Sequence, residues 1–387
     1  MINDTFYDIA IIGGGISSCV FSSFHLKNGY QGRIAIIENG RNLGGRSSTR
    51  NSISNSGWQL NHGSPNFNIC NSNNNQLLKA FIQELLDSKI IQSDPSDLIE
   101  LYEDPRDQKK IICDFHSCKN YTSSSYMTDL SRNIINHNNL KNQVDFFFKT
   151  LIVKLKYENN CWILTSKNGY KFKAKFLVCS SNLILHKRSL DILKINQIPL
   201  REAIPINNDK KIDTILNLLN KQEYVQRLTF LIYTKSNYSY KDNYKNRFRY
   251  FLLNNPLEEK FKFERIIFQK QINNQIGIVL HTRNKKFITE YFQCNNKKKF
   301  KNILLDKFNQ IFDEKSYINK LIDYQDISIM IWRASQPSGL GIPENLQVCD
   351  KYNIAFCGDW FDLEGFGRIE GAMLSALKLS YKISSLY

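Results

Sequence analysis

The sequence predicts an α/β fold in which a Rossmann-like nucleotide-binding domain is interleaved with an α+β domain of mixed sheet and helices. Three observations carry this expectation. A strand, a glycine turn, a helix and a second strand follow one another within residues 9–37. A three-stranded meander begins at residue 149, and a strand ending in Gly358-Asp359 precedes a last helix. A chain of 387 residues is long for one core and suits two domains. Residues 1–75, 140–190 and 320–387 are assigned to the nucleotide-binding domain, and 76–139 and 191–319 to the second domain.

Ile9-Ala10-Ile11-Ile12 is a short apolar run of the kind buried in a parallel strand. Gly13-Gly14-Gly15 breaks it, and Ile16, Cys19, Val20, Ser23 and Phe24 then recur at helical spacing. Gly29 and Gly32 end that helix before a second run, Ile34-Ala35-Ile36-Ile37. Leu77, Leu78, Phe81, Ile82, Leu85 and Leu86 mark an amphipathic helix from Gln76 to Ile91. Another helix is expected from Thr122 to Ile135, with N-caps drawn from the Thr-Ser-Ser-Ser run. Lys149–Tyr157, Cys161–Ser166 and Tyr170–Lys173 form the meander, and Phe176–Cys179 reads as a further buried strand. Between 190 and 320, helices (Asp213–Leu219, Phe300–Phe312) mix with strands (Leu228–Thr234, Arg249–Leu253, Ile266–Gln269, Ile276–His281). Ile354-Ala355-Phe356-Cys357 is the last strand. The final helix starts near Gly367 and turns Ile369, Ala372, Met373, Ala376 and Leu377 to the core.

The hydrophobic share of 42% and aromatic share of 12% are those of a packed globular protein. No run approaches the length of a membrane span. The first strand-like run starts at Asp8, which leaves no room for a secretory signal, so a cytoplasmic location is expected. The nine cysteines show neither a C-x-x-C pair nor zinc-ligand spacing, so reduced thiols without metal or disulfide are expected. The net charge of +16 comes with heavy use of Lys, Asn, Ile, Tyr and Phe together, the signature of AT-rich coding. Without an RNA-binding motif it points away from nucleic acid and toward steering of an anionic small molecule.

Gly13-x-Gly15-x-x-Ser18 carries the first chemistry. A tight turn after a strand needs a residue without Cβ, and a second glycine lets the backbone touch a diphosphate. The helix start, at Ile16 and Ser17, then offers free N–H groups and a positive dipole end. Ser18 stands where Gly or Ala is usual. Glu38 ends the second strand and is placed to accept hydrogen bonds from a ribose diol, which favours an adenosine without a 2′-phosphate.

The stretch from Glu38 through Arg41, Gly44-Gly45-Arg46 and Ser47-Ser48-Thr49-Arg50 resembles the FAD-dependent amine oxidase superfamily. The likeness is nearest to its renalase-like NAD(P)/FAD-dependent oxidoreductases. Further matches fall in order. Asn61-His62-Gly63-Ser64-Pro65-Asn66-Phe67 stands where the family runs under the flavin, though Asn61, Ser64, Pro65 and Asn66 depart from its pattern. Val153 lies where the family pairs backbone with adenine, and Trp332-Arg333 where it has Trp-Arg-Tyr. Gly358-Asp359 and Gly367-Arg368-Ile369-Glu370-Gly371 resemble the C-terminal flavin clamp.

The resemblance implies a glutathione-reductase-type FAD domain and non-covalent FAD, with Cys357 a core residue rather than an attachment point. Gly13, Gly15, Ile16, Ser17, Glu38, Arg41, Gly44, Gly45, Arg46, Gly63, Ser64, Val153, Asp359, Arg368 and Ile369 are the expected cofactor contacts. Arg46 would serve the diphosphate or ribityl chain, Asp359 a ribityl hydroxyl, and free N–H groups at Arg368 and Ile369 the phosphate or flavin ring. His62 and Trp332 are the catalytic candidates; a lone His is more often a packing or surface residue, and Trp332 is equally readable as core.

Only one dinucleotide half-site is visible, so an electron donor would meet the flavin directly. The implied reaction is hydride transfer from a nitrogen-containing substrate, such as an isomeric dihydronicotinamide dinucleotide, to FAD and then to dioxygen. A flavin amine oxidase and a non-catalytic FAD-binding protein are the alternatives. Oligomeric state is not legible.

Overall fold

Ile9-Ala10-Ile11-Ile12 and Ile34-Ala35-Ile36-Ile37 are buried on both faces, as continuous apolar runs require. They pair in parallel, Ile9 opposite Ile34 and Ile12 opposite Ile37. The computed structural model describes residues 5–51, 59–70, 75–96, 98–101, 108–111, 118–137, 140–233, 248–270, 276–311 and 327–384. In the eight-stranded nucleotide sheet the order is Val144–Phe147, Ile34–Ile37, Phe6–Ile12, Lys171–Cys179, Cys161–Ser166, Ile152–Glu158. Ile354–Phe356 joins it beside Lys171–Cys179, with Val348–Cys349 beyond.

The two expected strands Tyr170–Lys173 and Phe176–Cys179 are one strand, Lys171–Cys179. Its first half has Cys161–Ser166 antiparallel on one side, and its second half has Ile354–Phe356 parallel there instead. The side facing Phe6–Ile12 pairs in one register from Lys173 to Cys179, across the expected gap, so no break is needed. Alternation across this sheet separates two cores. Ile9, Ile11, Ile34 and Ile36 pack under the helices Ile16–Lys27, Gln76–Asp87, Met127–Asn136 and Ile369–Ser384. Ala10, Ile12, Ala35 and Ile37 pack with the meander and the helix Lys210–Lys221.

Three helix expectations change, the first being that the helix from Gln76 ends at Asp87 and Ile91 opens the strand Ile91–Ser93 instead. Thr122 and Ser123 end the strand Cys118–Ser123, because the Thr122 hydroxyl donates to the Pro65 carbonyl and Ser123 pairs with Ile91. The helix begins at Met127, without a side-chain cap. The last helix, Ile369–Ser384, is buried on more than one face: Leu374, Ser375, Leu379 and Ser380 are enclosed as well as Met373, Ala376 and Leu377. It packs on the helix Ile16–Lys27 and also against Phe67–Cys70 and Gln76–Asp87, so it lies within a layer rather than on top of one.

The second sheet has seven strands in the order Ile327–Ser338, Glu223–Tyr233, Ile276–Thr282, Arg265–Lys270, Phe248–Leu253, Leu98–Leu101, Gln108–Ile111. Ile327–Ser338, grouped by sequence with the nucleotide domain, is its edge strand, paired along Glu223–Tyr233. One face carries Leu228, Phe230, Ile232, Ile266, Ile278 and Leu280 under Asn255–Phe261, Lys285–Gln293 and Lys297–Ile311. The other turns Leu231, Tyr233, Tyr250, Ile267 and Val279 toward Leu60 of the nucleotide domain. Gln269 fastens the two parts: its side chain accepts from the Asn61 N–H at 2.9 Å and donates to the Asn61 carbonyl at 2.8 Å.

The cysteine expectation is corrected. Cys70 and Cys118 form a disulfide, because antiparallel pairing of Phe67–Cys70 with Cys118–Ser123 sets them directly opposite. A separation of 48 residues conceals that in the sequence. Cys357 is fully buried, and burial pushes its thiol up to about 12. Among the described residues, no helix is long and apolar enough to cross a membrane.

Candidate cofactor and substrate site

The parallel strand Phe6–Ile12 ends at Gly13, whose φ of +107° places it where side chains are strained. A Cβ there would also stand 2.9 Å from the Ser181 Cβ. Gly13 N–H donates to the Ile37 carbonyl, and Gly14 N–H donates to Glu38 Oε2 at 2.6 Å. Glu38 Oε1 accepts from Gly40 N–H. The carboxylate is thus fixed by two backbone donors, with lone pairs left for a ribose diol. Gly15 caps the helix Ile16–Lys27 without a side-chain cap, and a Cβ on it would meet nothing within 4 Å. The first-turn amides of Ile16 and Ser17 have no acceptor among the described residues. An open glycine before free helix-start N–H groups fits a diphosphate. Ser18 adapts to its position by donating its hydroxyl to the Gly15 carbonyl at 2.6 Å.

The second glycine loop lies on the first. Gly44 N–H donates to the Gly14 carbonyl at 2.8 Å, and Gly45 stands over the Gly15 Cα. Arg41 is exposed in the same loop. Gly63 is held by close approach: a Cβ would lie 1.8 Å from the Arg46 carbonyl oxygen, which accepts from Ser64 N–H. The Ser64 hydroxyl closes a local turn onto the Asn66 carbonyl at 2.6 Å. Thr150 N–H donates to the Glu38 carbonyl, which brings the start of the meander beside Glu38. Val153 is the extra residue of a bulge between Ile152 and Lys154, off the regular ladder.

Arg46 and Asp359, drawn from opposite ends of the chain, form a bidentate ion pair of 2.7 and 2.5 Å. Asp359 is buried and Arg46 is 41% exposed. Arg46 also donates to the Ser335 carbonyl at 3.2 Å. Asp359 follows the strand Ile354–Phe356 at the carboxyl end of the sheet, where nucleotide crevices open in such folds. Arg368 differs from expectation: its N–H is not free but donates to the Gly365 carbonyl at 2.8 Å. Its guanidinium reaches the buried Glu370 at 2.7 Å. The turn Gly365–Arg368 closes on itself, leaving the first two helical amides, Ile369 and Glu370, without an acceptor among the described residues.

His62 and Trp332 meet. Their rings stack with centroids 5.1 Å apart and planes 24° off parallel. His62 is 5% exposed, and its Nδ1 has no hydrogen-bond partner. Burial, then the Arg50 cation, lowers its pKa to about 4, so the ring is neutral near pH 7. Trp332 Nε1 donates to Thr229 Oγ1 at 3.1 Å, and Thr229 Oγ1 lies 3.1 Å from His281 Nδ1. Strand register makes Met330, Thr229, His281 and Arg265 one row across the sheet face that looks toward His62. Burial, followed by the nearby Arg265 and Arg227 cations, holds His281 well below the usual imidazole range.

Residues 11–85 match a family model described as an NAD(P)-binding Rossmann-like domain. No curated protein matches the chain by sequence. Among solved structures it resembles wild-type putrescine oxidase bound to putrescine, with TM-score 0.65 and 10% identity over 99% of this chain and 100% of that one. The fold is that of putrescine oxidase. A protein assigned as a protoporphyrinogen oxidase from Exiguobacterium sp. 255-15 superposes with TM-score 0.62 and 10% identity, all of both chains being covered. At this identity the likeness speaks for fold.

Thr229, His281, Arg188 and Gln269 escaped sequence analysis. They are single polar residues outside the motifs read from the sequence, and only strand register, or for Arg188 a loop return, brings them to the site. A Thr or His at alternating positions of an apolar strand was the available signal.

Proposed function

We propose that the protein is an FAD-dependent oxidoreductase of the oxidase type. On this proposal it takes a hydride from an anionic, nitrogen-containing substrate, such as an isomeric dihydronicotinamide dinucleotide, and passes the electrons to dioxygen. The observation that carries it is the convergence of the open Gly15 cradle and the Asp359 crevice through the Arg46–Asp359 pair. The helix-start amides at Ile16 and Ser17 would hold the diphosphate, Glu38 the ribose, and Asp359 the ribityl chain. The Ile369 amide would face the ring. Bound FAD would supply the two-electron acceptor, held without a covalent link.

The chain's own groups suit hydride transfer better than proton chemistry. A neutral His62 is no general acid near pH 7, but its unpartnered Nδ1 can make one hydrogen bond to a substrate. Trp332, fixed by Thr229, supplies a flat wall. Oxidation driven by a substrate nitrogen lone pair needs position rather than a strong base. Arg46 and Arg227 are ion-paired with Asp359 and Glu264, so it is Arg50 beside His62 and Arg265 beside His281 that favour a substrate with phosphates over a cationic amine.

Anaerobic mixing with 2- or 6-dihydro-NAD isomers is expected to bleach the flavin and, on admitting air, to yield hydrogen peroxide. An unchanged spectrum across that panel rejects the substrate class. The putrescine oxidase fold favours a flavin amine oxidase as the second reading. Peroxide release over a panel of primary and polyamines separates the two.

A further inference from the structure

Beside the Arg46–Asp359 pair stands a second arginine, Arg188, with no counter-ion of its own among the described residues. Arg188 lies nine residues past the end of Lys171–Cys179, the strand that adjoins both Phe6–Ile12 and Ile354–Phe356. Its Nη2 donates to Asn182 Oδ1 at 2.5 Å, and its guanidinium lies over the Tyr224 ring, 4.2 Å from the centroid. Asn182 in turn donates to the Tyr224 hydroxyl, which donates to Gln222 Oε1 at 3.2 Å. The side chain is therefore held in place. Yet Nε and Nη1 are buried without a hydrogen-bond partner among the described residues.

Charge is unbalanced there. Arg188, Arg46, Tyr224 and Asp359 sense one another, and the Asp359 carboxylate is already clamped by both terminal nitrogens of Arg46. Two guanidinium groups thus share one carboxylate. A buried, oriented cation with idle donors costs stability unless an anion completes it. The position indicates which anion. Ser181, next to Asn182, is the residue a Cβ on Gly13 would strike, so Arg188 flanks the glycine cradle at the carboxyl edge of the parallel strands.

We propose that Arg188, backed by Asn182 and Tyr224, is a binding residue for a phosphate-bearing ligand at this edge of the sheet. The shared chemistry is a diphosphate, belonging either to the flavin nucleotide or to a second nucleotide that enters as substrate. The inference rests on the nucleotide reading of the Gly13–Ser17 cradle. Charge-assisted contacts to phosphate contribute about 10- to 100-fold in affinity.

The test compares wild type with Arg188→Gln. Stripped protein is titrated with FAD by flavin fluorescence, and FAD-loaded protein is titrated with ADP-ribose by calorimetry. A loss of about 10- to 100-fold for FAD supports the inference with the cofactor as the source of the phosphate. The same loss for ADP-ribose with FAD unchanged supports it with a second nucleotide. Unchanged affinity for both overturns it. If the Gln variant does not accumulate, Arg188→Lys, which keeps charge but not the planar stack on Tyr224, is expected to lose about 3- to 10-fold. Equal affinity in that variant overturns the inference. Wild-type protein that takes up no FAD defeats the flavin reading instead, and inorganic pyrophosphate in a thermal-shift assay then tests Arg188 alone. Stabilisation of wild type that the variant lacks supports the inference, and equal stabilisation of both overturns it.

Discussion

Arg46 and Asp359 are separated by 313 residues and joined by two parallel hydrogen bonds of 2.7 and 2.5 Å. The pair ties the loop after the second strand to the loop after the last one, across the mouth of the nucleotide sheet. Asp359 is 6% and Arg46 41% exposed, so solvent screens one partner. A double-mutant cycle of Arg46→Met and Asp359→Asn is expected to give a stability coupling of about 1–2 kcal/mol. Each single variant is expected to weaken FAD binding about tenfold or more in a fluorescence titration. Strictly additive stability effects would show that the pair is incidental.

Two glycines near this pair are expected to behave oppositely. Gly15 has φ −78° and ψ −179°, and a Cβ on it meets nothing within 4 Å. Gly15→Ala should stay within about 1 kcal/mol of wild type, the lower entropy of its unfolded chain offsetting a poorer helix cap, and lose FAD affinity because the methyl occupies the diphosphate's place. In Gly63→Ala the Cβ would stand 1.8 Å from the Arg46 carbonyl oxygen. Urea unfolding should show a loss of at least about 2 kcal/mol, whether or not FAD is present. Similar unfolding midpoints for the two variants would contradict the arrangement described.

His62 makes stability depend on acid. Its folded pKa is about 4, against 6.5 for the unperturbed group. Below pH 6.5 the unfolded chain takes up a proton that the native state refuses, so stability falls from there toward pH 4. Above pH 6.5 there is no effect. At pH 5 the share of His62 is about 2 kcal/mol. His25, also lowered to about 4 by burial, adds a similar share. In His62→Gln the stability difference between pH 7 and pH 5 is expected to shrink by about 2 kcal/mol, leaving the parts of His25, His186 and His281, which burial lowers as well. An undiminished difference would place His62 in contact with solvent.

The Cys70–Cys118 bridge closes a long loop, so Cys118→Ser should lower stability by about 2–4 kcal/mol. Thiol titration in guanidinium should find at least two fewer groups than the nine cysteines, and all nine after reduction. Nine thiols without reductant would mean that the bridge is open in solution.

The sequence by itself determined the nucleotide half-site. Its signals are local: an apolar run, a glycine turn and a helix start are neighbours along the chain. Short-range sterics therefore dictate Gly13–Ser17, and Glu38 follows at the end of the next strand. Cys161–Ser166 and Ile34–Ile37 were legible to the residue for the same reason. Only the tertiary structure decided what Arg46 touches, that His62 lies on Trp332, and that Thr229 stands between Trp332 and His281. It also decided that Cys70 faces Cys118, and that Arg188 is left with idle donors. Those facts depend on strand register and on loops returning from far along the chain. Pairing energies between distant strands leave no periodic trace in either strand alone.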